Sequence, residues 1–311
     1  MEKRTMHAIR VYAYGGVDQL MYEQTDRPVP QAGEALVRVL AAGVNPVDWK
    51  IRQGLVKEMF PVQFPYIPGG DLAGIVEEVG PGVTTFQKGQ AVYGYTTKGV
   101  YAEYTLAPIS SLALKPETLS FDEAAAVPTG ATTAWQGLFE YGKLQAGQRV
   151  LIQGAAGGVG GFAVQFAQWK GAQVIGATSS KNVDYVRSLG AEVVDYTTTR
   201  VERTIQNIDL VYDAVGEKTV EQSVRVLRRG GTLVSIAAYL PQELLQERNV
   251  HGATFLAQIS SELLETIAHL IDEGSAKVEV AAIFALSDVR RAHELSQQGH
   301  GRGRIVLHIA D

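Results

Sequence analysis

The sequence predicts an α/β protein in two parts, a small antiparallel β-barrel and a doubly wound parallel sheet. Three observations carry this. Up to about residue 120 the chain is rich in Val and Tyr and punctuated by Gly and Pro. From about residue 123, apolar runs of strand length alternate with helical segments. A glycine-rich turn joins the first of those strands to the first of those helices.

In the first part, EALVRV (34–39) alternates apolar and polar residues at Ala35, Val37 and Val39, the pattern of a half-buried strand. GIVEEVGPGV ends at a Gly80–Pro81–Gly82 turn, and AVYGY and YAEYTL follow as further strands. Many short strands with frequent turns indicate a barrel. In the second part, RVLIQG, AQVIGAT, AEVVDY, IDLVYDAVG and GTLVSIAA read as five strands with helices between most of them, which indicates a parallel sheet covered on both faces. The first helix places Val159, Phe162, Ala163 and Phe166 at i, i+3, i+4 and i+7, a stripe that packs on the sheet. The tail from about 258 reads helix, strand, helix, strand, and either extends the parallel sheet or returns to the barrel.

The chain's 311 residues suit about two domains. Hydrophobic residues at 46% and charged residues at 20% supply a core and exclude a disordered or collagen-like chain. The formal net charge of −5 gives no general attraction to nucleic acid or an anionic membrane. Cysteine is absent, which excludes disulfides, a thiolate nucleophile, iron–sulfur clusters and cysteine-based zinc sites. The first residues, MEKRTMHAIRVYAYGG, carry early charge without the apolar run of a secretory signal. Val150–Trp169 is uncharged, but five glycines and three glutamines interrupt it, unlike a membrane span. A cytoplasmic location is the expectation.

The strongest local signal is Gly154–Ala155–Ala156–Gly157–Gly158–Val159–Gly160, between a strand and a helix. Read as G-x-G-x-x-G it has Ala155 at the first position and glycines at Gly157 and Gly160. Gly157 allows a pyrophosphate to approach the backbone, and Gly160 lets the helix sit close to the sheet. N–H groups at the helix start, around Gly158 and Val159, bind phosphate. A tight turn in a nucleotide-free α/β protein is the alternative, and the flanking strand, helix and βαβ sequel argue against it.

Which dinucleotide is bound is read after the second strand. A site for an unphosphorylated ribose carries Asp or Glu about 20 residues beyond the loop. Gly176–Lys181 contains none, and Asp184 already lies in the next helix. The hydroxyls of Ser179 and Ser180 and the ammonium of Lys181 suit a 2′-phosphate, so NADPH is the expected cofactor. Tyr196, ending the third strand, can add a phenolic hydrogen bond. Ser180 as a helix cap and Lys181 as a solvated lysine is the plainer reading, and capping is compatible with phosphate binding. Gly216 permits close approach of the cofactor after the fourth strand, and Ala237 sits at the carboxyl edge of the fifth, where ligands bind.

At this point the residues resemble a known family. AAGVNPVDWKIRQG (41–54), PYIPGGDLAGIVEEVGPGV (65–83), GVYAEY (99–104), AAAVPTGATTAWQGL (124–138), VLIQGAAGGVG (150–160) and LGAEVVDY (189–196) occur in family order. GRGRIVLHI resembles the family's closing strand. The chain resembles the zinc-free quinone oxidoreductase type of medium-chain dehydrogenase/reductase. The resemblance implies a GroES-like barrel domain from residues 1–122 with 258–311, a Rossmann domain over 123–257 and an active site in the cleft between them. It also implies NADPH-driven reduction of a quinone or of a carbon–carbon double bond conjugated to a carbonyl. Homodimers through the edge strand of the Rossmann sheet, here Asn249–Leu256, are implied as well.

Against the zinc-dependent branch, Asn45 stands where a cysteine ligand is placed, Gly69–Gly70–Asp71 replaces a Gly-His-Glu motif, and the four-cysteine lobe is missing. The six histidines, His7, His251, His269, His293, His300 and His308, show no paired ligand spacing, so no catalytic zinc is expected.

Hydride delivery to an enone leaves negative charge on the carbonyl oxygen, and without a metal hydrogen-bond donors must stabilise it. Asn45 and Lys50 are the expected donors, with Asp48 either orienting Lys50 or capping the following turn. Tyr66, Tyr93, Tyr95 and Tyr239 are candidate proton donors, each also readable as packing, and solvent can serve instead. Thr129 and Thr133 fall in the segment that resembles the one beside the nicotinamide; the plainer reading is a helix start. Phe255 and Leu256 pack either on the nicotinamide end or at a dimer interface. The expected partner is a small quinone or enone, with no nucleic acid and no membrane. An enoyl-thioester reductase and a dinucleotide-binding module with little turnover are the competing readings.

Overall fold

The computed structural model describes residues 5–299 and 301–311. The early charges of the amino terminus (2–4) and His300 lie outside them. The chain forms two units: Met1–Thr129 with Ile259–Asp272 and Val280–Asp311, and Gly130–Gln258 with Glu273–Glu279. The first break falls at 129/130 rather than 122/123, because the short helix after residue 120 packs on barrel strands. The segment 273–279 joins the second unit, where Gln165 and Lys277 exchange hydrogen bonds.

The first unit opens with a hairpin of β1 (Thr5–Arg10) and β2 (Met21–Asp26). β3 (Glu34–Val44), helix α1 (Pro46–Arg52), β4 (Asp71–Val79), β5 (Ala91–Tyr95), β6 (Tyr104–Pro108) and β7 (Leu112–Leu114) follow, then α2 (Phe121–Ala125). The tail does return to the barrel. α9 (Ser261–Asp272) packs beside β7, and β14 (Val280–Ala285) and β15 (Arg304–His308) flank α10 (Val289–Gln298). The sheet order is β14-β15-β3-β4-β5-β7, with β6 also on β3. β3 is buried at every residue but Glu34 and Arg38. One face lies on the barrel core and the other is covered by α2. A Cβ on Gly43 would stand 2.5 Å from the Ala125 carbonyl oxygen, so glycine is what admits α2 there.

In the second unit, α3 (Pro128–Trp135), which starts at the boundary, runs into a π-helical stretch, Gln136–Tyr141. β8 (Arg149–Gln153), α4 (Gly160–Trp169), β9 (Gln173–Thr178), α5 (Val183–Ser188), β10 (Glu192–Asp195), α6 (Val201–Thr204), β11 (Ile208–Asp213), α7 (Glu217–Val226), β12 (Leu227–Ser235), α8 (Gln242–Arg248) and β13 (His251–Thr254) follow. All six strands are parallel, in the order β10-β9-β8-β11-β12-β13. This is the dinucleotide-binding strand order, and its direction of winding reverses at β8. Phe162, Ala163 and Phe166 of α4 are buried, as the helical stripe requires. No helix among the described residues is long and apolar enough to cross a membrane.

Candidate active site

The glycine turn leaves the carboxyl end of β8, at the switch point of the sheet, where ligands bind in open α/β folds. Gly154 has a φ of +74°, which favours glycine. A Cβ on Gly160 would lie 2.1 Å from the Gly154 carbonyl oxygen, so a side chain there would push α4 off the strand end. A Cβ on Gly157 would meet only the Gly154 oxygen, at 3.3 Å, so that side of the turn is open. Ala155 is tied to β9 by its N–H to the Ala177 carbonyl, 3.1 Å. At the start of α4 Gly161 donates to the Gly157 carbonyl and Ala163 to the Val159 carbonyl, which leaves the amides of Gly158, Val159 and Gly160 as the donors at the helix start. The turn therefore fits a dinucleotide pyrophosphate.

At the end of β9, Ser179 leads into a short turn at Ser180–Asn182, and Lys181 is exposed. Here the structure adds an acid. Thr178 of β9 pairs in register with Asp195 of β10, and Ser180 Oγ donates to Asp195 Oδ2 at 2.5 Å. Ser180 Oγ also lies 2.7 Å from Thr197 Oγ1. The segment 176–181 itself holds no acid, but parallel pairing brings one from the next strand. Tyr196, beside Asp195, is 46% exposed. The signal was available in AEVVDY, where Asp195 directly precedes Tyr196.

Gly216, with a φ of +110°, packs where a Cβ would be 2.8 Å from the Ala237 carbonyl oxygen, so the turns after β11 and β12 touch. Both are braced by buried Asp213, which accepts from the Val215 and Gly216 N–H groups, Thr219 Oγ1 and Ser235 Oγ. Thr133 is buried, and its carbonyl accepts from Tyr212 Oη at 3.0 Å. Phe255 stacks on Tyr141 at 4.3 Å, while Leu256 is exposed.

The first unit holds a buried polar cluster. Arg304 Nη2 donates to Asn45 Oδ1 at 2.7 Å and to Asp71 Oδ2 at 2.8 Å, and Arg304 Nε donates to the Ala126 carbonyl at 3.0 Å. Asn45 Nδ2 donates to Asp71 Oδ2 at 3.0 Å. Thr129 donates to Asp71 through both its N–H and its hydroxyl. Burial pushes the Asp71 carboxyl up, while Arg304, Asn45 and Thr129 favour its charged form. Thr129 is thus part of this cluster, and its proton goes to Asp71 rather than to a cofactor carboxamide.

Asp48 accepts from the Asn45 N–H and from Tyr101 Oη, both at 2.8 Å. It closes the first turn of α1, as its capping reading expects. Lys50 Nζ lies 5.6 Å from the Trp49 ring centroid. Tyr93 is fully buried and donates to the Leu264 carbonyl, which makes it a packing residue; Tyr239 is 85% exposed. Asp71 and Arg304 went unread as functional residues. They are 233 positions apart, and only antiparallel pairing of β15 with β3 beside β4 brings them together.

Two family models match: "Alcohol dehydrogenase GroES-like domain" over residues 31–117 and "Zinc-binding dehydrogenase" over 189–307. A chloroplastic quinone-oxidoreductase homolog of Spinacia oleracea is 39% identical, over 99% of each chain. A chloroplastic NADPH-dependent alkenal/one oxidoreductase of Arabidopsis thaliana is 33% identical, over 95% of this chain and 77% of that one. The solved quinone oxidoreductase from Coxiella burnetii superposes with a TM-score of 0.92 at 32% identity, covering 98% and 99% of the chains.

The residues present do not fit the zinc of the second model's description. Among the described residues no three His, Cys, Asp or Glu side chains converge. Asn45 and Asp71 already share a cation, the guanidinium of Arg304.

Proposed function

Because the chain belongs to the quinone oxidoreductase type of the medium-chain dehydrogenase/reductase family, we propose that it is a zinc-independent oxidoreductase passing hydride from NADPH to a quinone or an α,β-unsaturated carbonyl compound. The observation that carries the reading is the glycine turn at the switch point of a six-stranded parallel sheet.

Bound NADPH supplies the hydride. In this reading the backbone amides of Gly158, Val159 and Gly160 hold the pyrophosphate, while Ala155 and Gly157, whose N–H groups donate to the Ala177 and Gly154 carbonyls, shape the turn around it. Ser179, Ser180, Lys181 and Tyr196 surround the adenosine ribose, and Gly216 and Ala237 line the carboxyl edge. Thr133 borders the nicotinamide end, with Phe255 and Leu256 beyond it. Thr129 acts indirectly, by fixing Asp71. The negative charge that grows on the substrate oxygen is met by the second Nδ2 hydrogen of Asn45 and by Lys50. Arg304 and Asp71 hold the Asn45 amide in one orientation, and Asp48 fixes the helix turn between Asn45 and Lys50. The chain works as a cytoplasmic homodimer, with β13 as the edge strand available for pairing.

The test follows NADPH oxidation with 1,4-benzoquinone, 9,10-phenanthrenequinone, an alkenal and crotonyl-CoA. Turnover of the quinones or the alkenal is expected. Turnover of the thioester alone would replace this reading with an enoyl-thioester reductase. Tight NADPH binding with no turnover on any acceptor would make the chain a binding module.

A further inference from the structure

Behind α1 lies a group of buried donors that the proposed chemistry does not use. Arg52 is fully buried, and its Nε, Nη1 and Nη2 have no acceptor. His293 of α10 is fully buried as well, with neither ring nitrogen partnered, and the hydroxyl of Tyr66 is likewise buried and alone. Trp49 Nε1, one helical turn before Arg52, is a further buried donor without an acceptor.

These groups share one place in the first unit. α10 packs on α1 and on the turn at Val17–Gln19. Gly15 donates its N–H to the Arg52 carbonyl at 3.0 Å, and Tyr66 is bridged to Val11 by two backbone hydrogen bonds. Arg290 of α10 donates to the carbonyls of Asp18 and Leu20. The Tyr101 ring, 5.8 Å from His293, closes one side. The charge of Arg52 is felt by both Tyr66 and His293.

A guanidinium does not shed its proton in a protein, so its burial demands a counter-charge or acceptors. His293 supplies no charge, because burial and Arg52 push it down to about 3. Tyr66 stays protonated, since burial raises it well above the usual phenol range. Asp18 is a carboxylate whose charge reaches Arg52, but it makes no hydrogen bond to it, and its Oδ2 accepts from Gln19 Nε2. Asp48 is committed to Asn45 and Tyr101. The neutral His293 ring offers one N–H beside its acceptor nitrogen. With the Tyr66 hydroxyl and the Arg52 guanidinium it leaves donors around one fixed positive charge with no carboxylate bonded to it; a small anion matches that arrangement.

We propose that Arg52, Tyr66 and His293 form an interior binding site for a small inorganic anion of halide size, wedged between α1 and α10. The anion neutralises Arg52 and ties the two helices together. The site is built entirely from the first unit, and its test does not depend on the proposed reaction.

Two measurements test it with bromide as the probe. Crystals soaked in sodium bromide should show an anomalous peak within hydrogen-bond distance of the Arg52 guanidinium; a solvent oxygen there with no anomalous signal would overturn the proposal. In solution, bromide replaces gluconate at constant ionic strength while thermal unfolding is followed. The native chain should gain about 5 °C in Tm, saturably. Arg52→Met should lose the response. Tyr66→Phe, a milder change should Arg52→Met fail to fold, should shift half-saturation about tenfold upward. An unsaturable rise, or the same response in native chain and Tyr66→Phe, would overturn the site.

Discussion

Arg304 Nη2 lies 2.8 Å from Asp71 Oδ2, and the two side chains are 5% and 0% exposed. The pair comes from the closing strand and the start of β4, with Asn45 bonded to both partners. Breaking such a pair on one side is costlier than replacing it, because a lone buried charge remains. Arg304→Met should therefore lose about 3–5 kcal/mol in urea unfolding. The double variant Arg304→Met with Asp71→Asn should recover a large part of that loss, since no charge is left to desolvate. Simple addition of two single losses would show that the pair is not coupled.

The Ser180–Asp195 hydrogen bond sets a second expectation. Hydrogen bonds from Ser180 and Thr197 hold the Asp195 carboxyl below the usual range, so it is charged at neutral pH. A carboxylate beside a 2′-phosphate opposes it, and Lys181 favours it. Asp195→Asn should tighten NADPH about threefold to tenfold and leave NADH nearly unchanged, read by fluorescence titration of the reduced nucleotides. Lys181→Ala should weaken NADPH far more than NADH. Equal effects on both nucleotides would remove these residues from the phosphate site.

Gly157 and Gly160 separate nucleotide binding from packing. An alanine at 160 would force its Cβ against the Gly154 carbonyl, 2.1 Å away, and should cost about 1–3 kcal/mol of stability along with cofactor affinity. An alanine at 157 meets one atom at 3.3 Å, so the unliganded protein should keep its melting temperature while NADPH affinity falls at least about tenfold. Calorimetry and titration on both variants check this. A Gly157→Ala protein that binds NADPH normally would mean the pyrophosphate does not rest on this turn.

The second unit's sheet was legible because each parallel strand is an apolar run and the glycine turn marks the first crossover; RVLIQ is buried at Val150 through Gln153. The polar cluster of the first unit was not legible, and the reason is topological. Asn45, Asp71, Thr129 and Arg304 sit in four separate segments, and each local context reads as something ordinary: a helix cap, a strand start, a helix start, a closing strand. Asp195 escaped for a similar reason. The rule of an acid after the second strand looks along the chain, whereas the carboxylate arrives sideways, from β10. In β3 the alternation held where it was read: Ala35, Val37 and Val39 are buried and Glu34 and Arg38 only half-buried, while the continuous burial follows in residues 39–44, where α2 packs at Gly43.

Asp48 gives the chain a pH dependence whose sign follows from its burial. Desolvation raises its carboxyl to about 7, against the pull of the Asn45 N–H and the Tyr101 hydroxyl, while the unfolded chain holds it near 3.8. A raised carboxyl favours the folded state only while protonated. Its contribution is full below the unfolded value and is lost as pH rises through about 7. Asp48→Asn keeps a carbonyl to accept from Asn45 and Tyr101 but cannot ionise. Its stability relative to the native chain should therefore climb between pH 5 and pH 8, by at most about 3 kcal/mol. Urea unfolding of both proteins across that range measures the difference. A gap that stays constant with pH would mean Asp48 is ionised throughout, with the α1 cap carrying a full charge at every pH in the window.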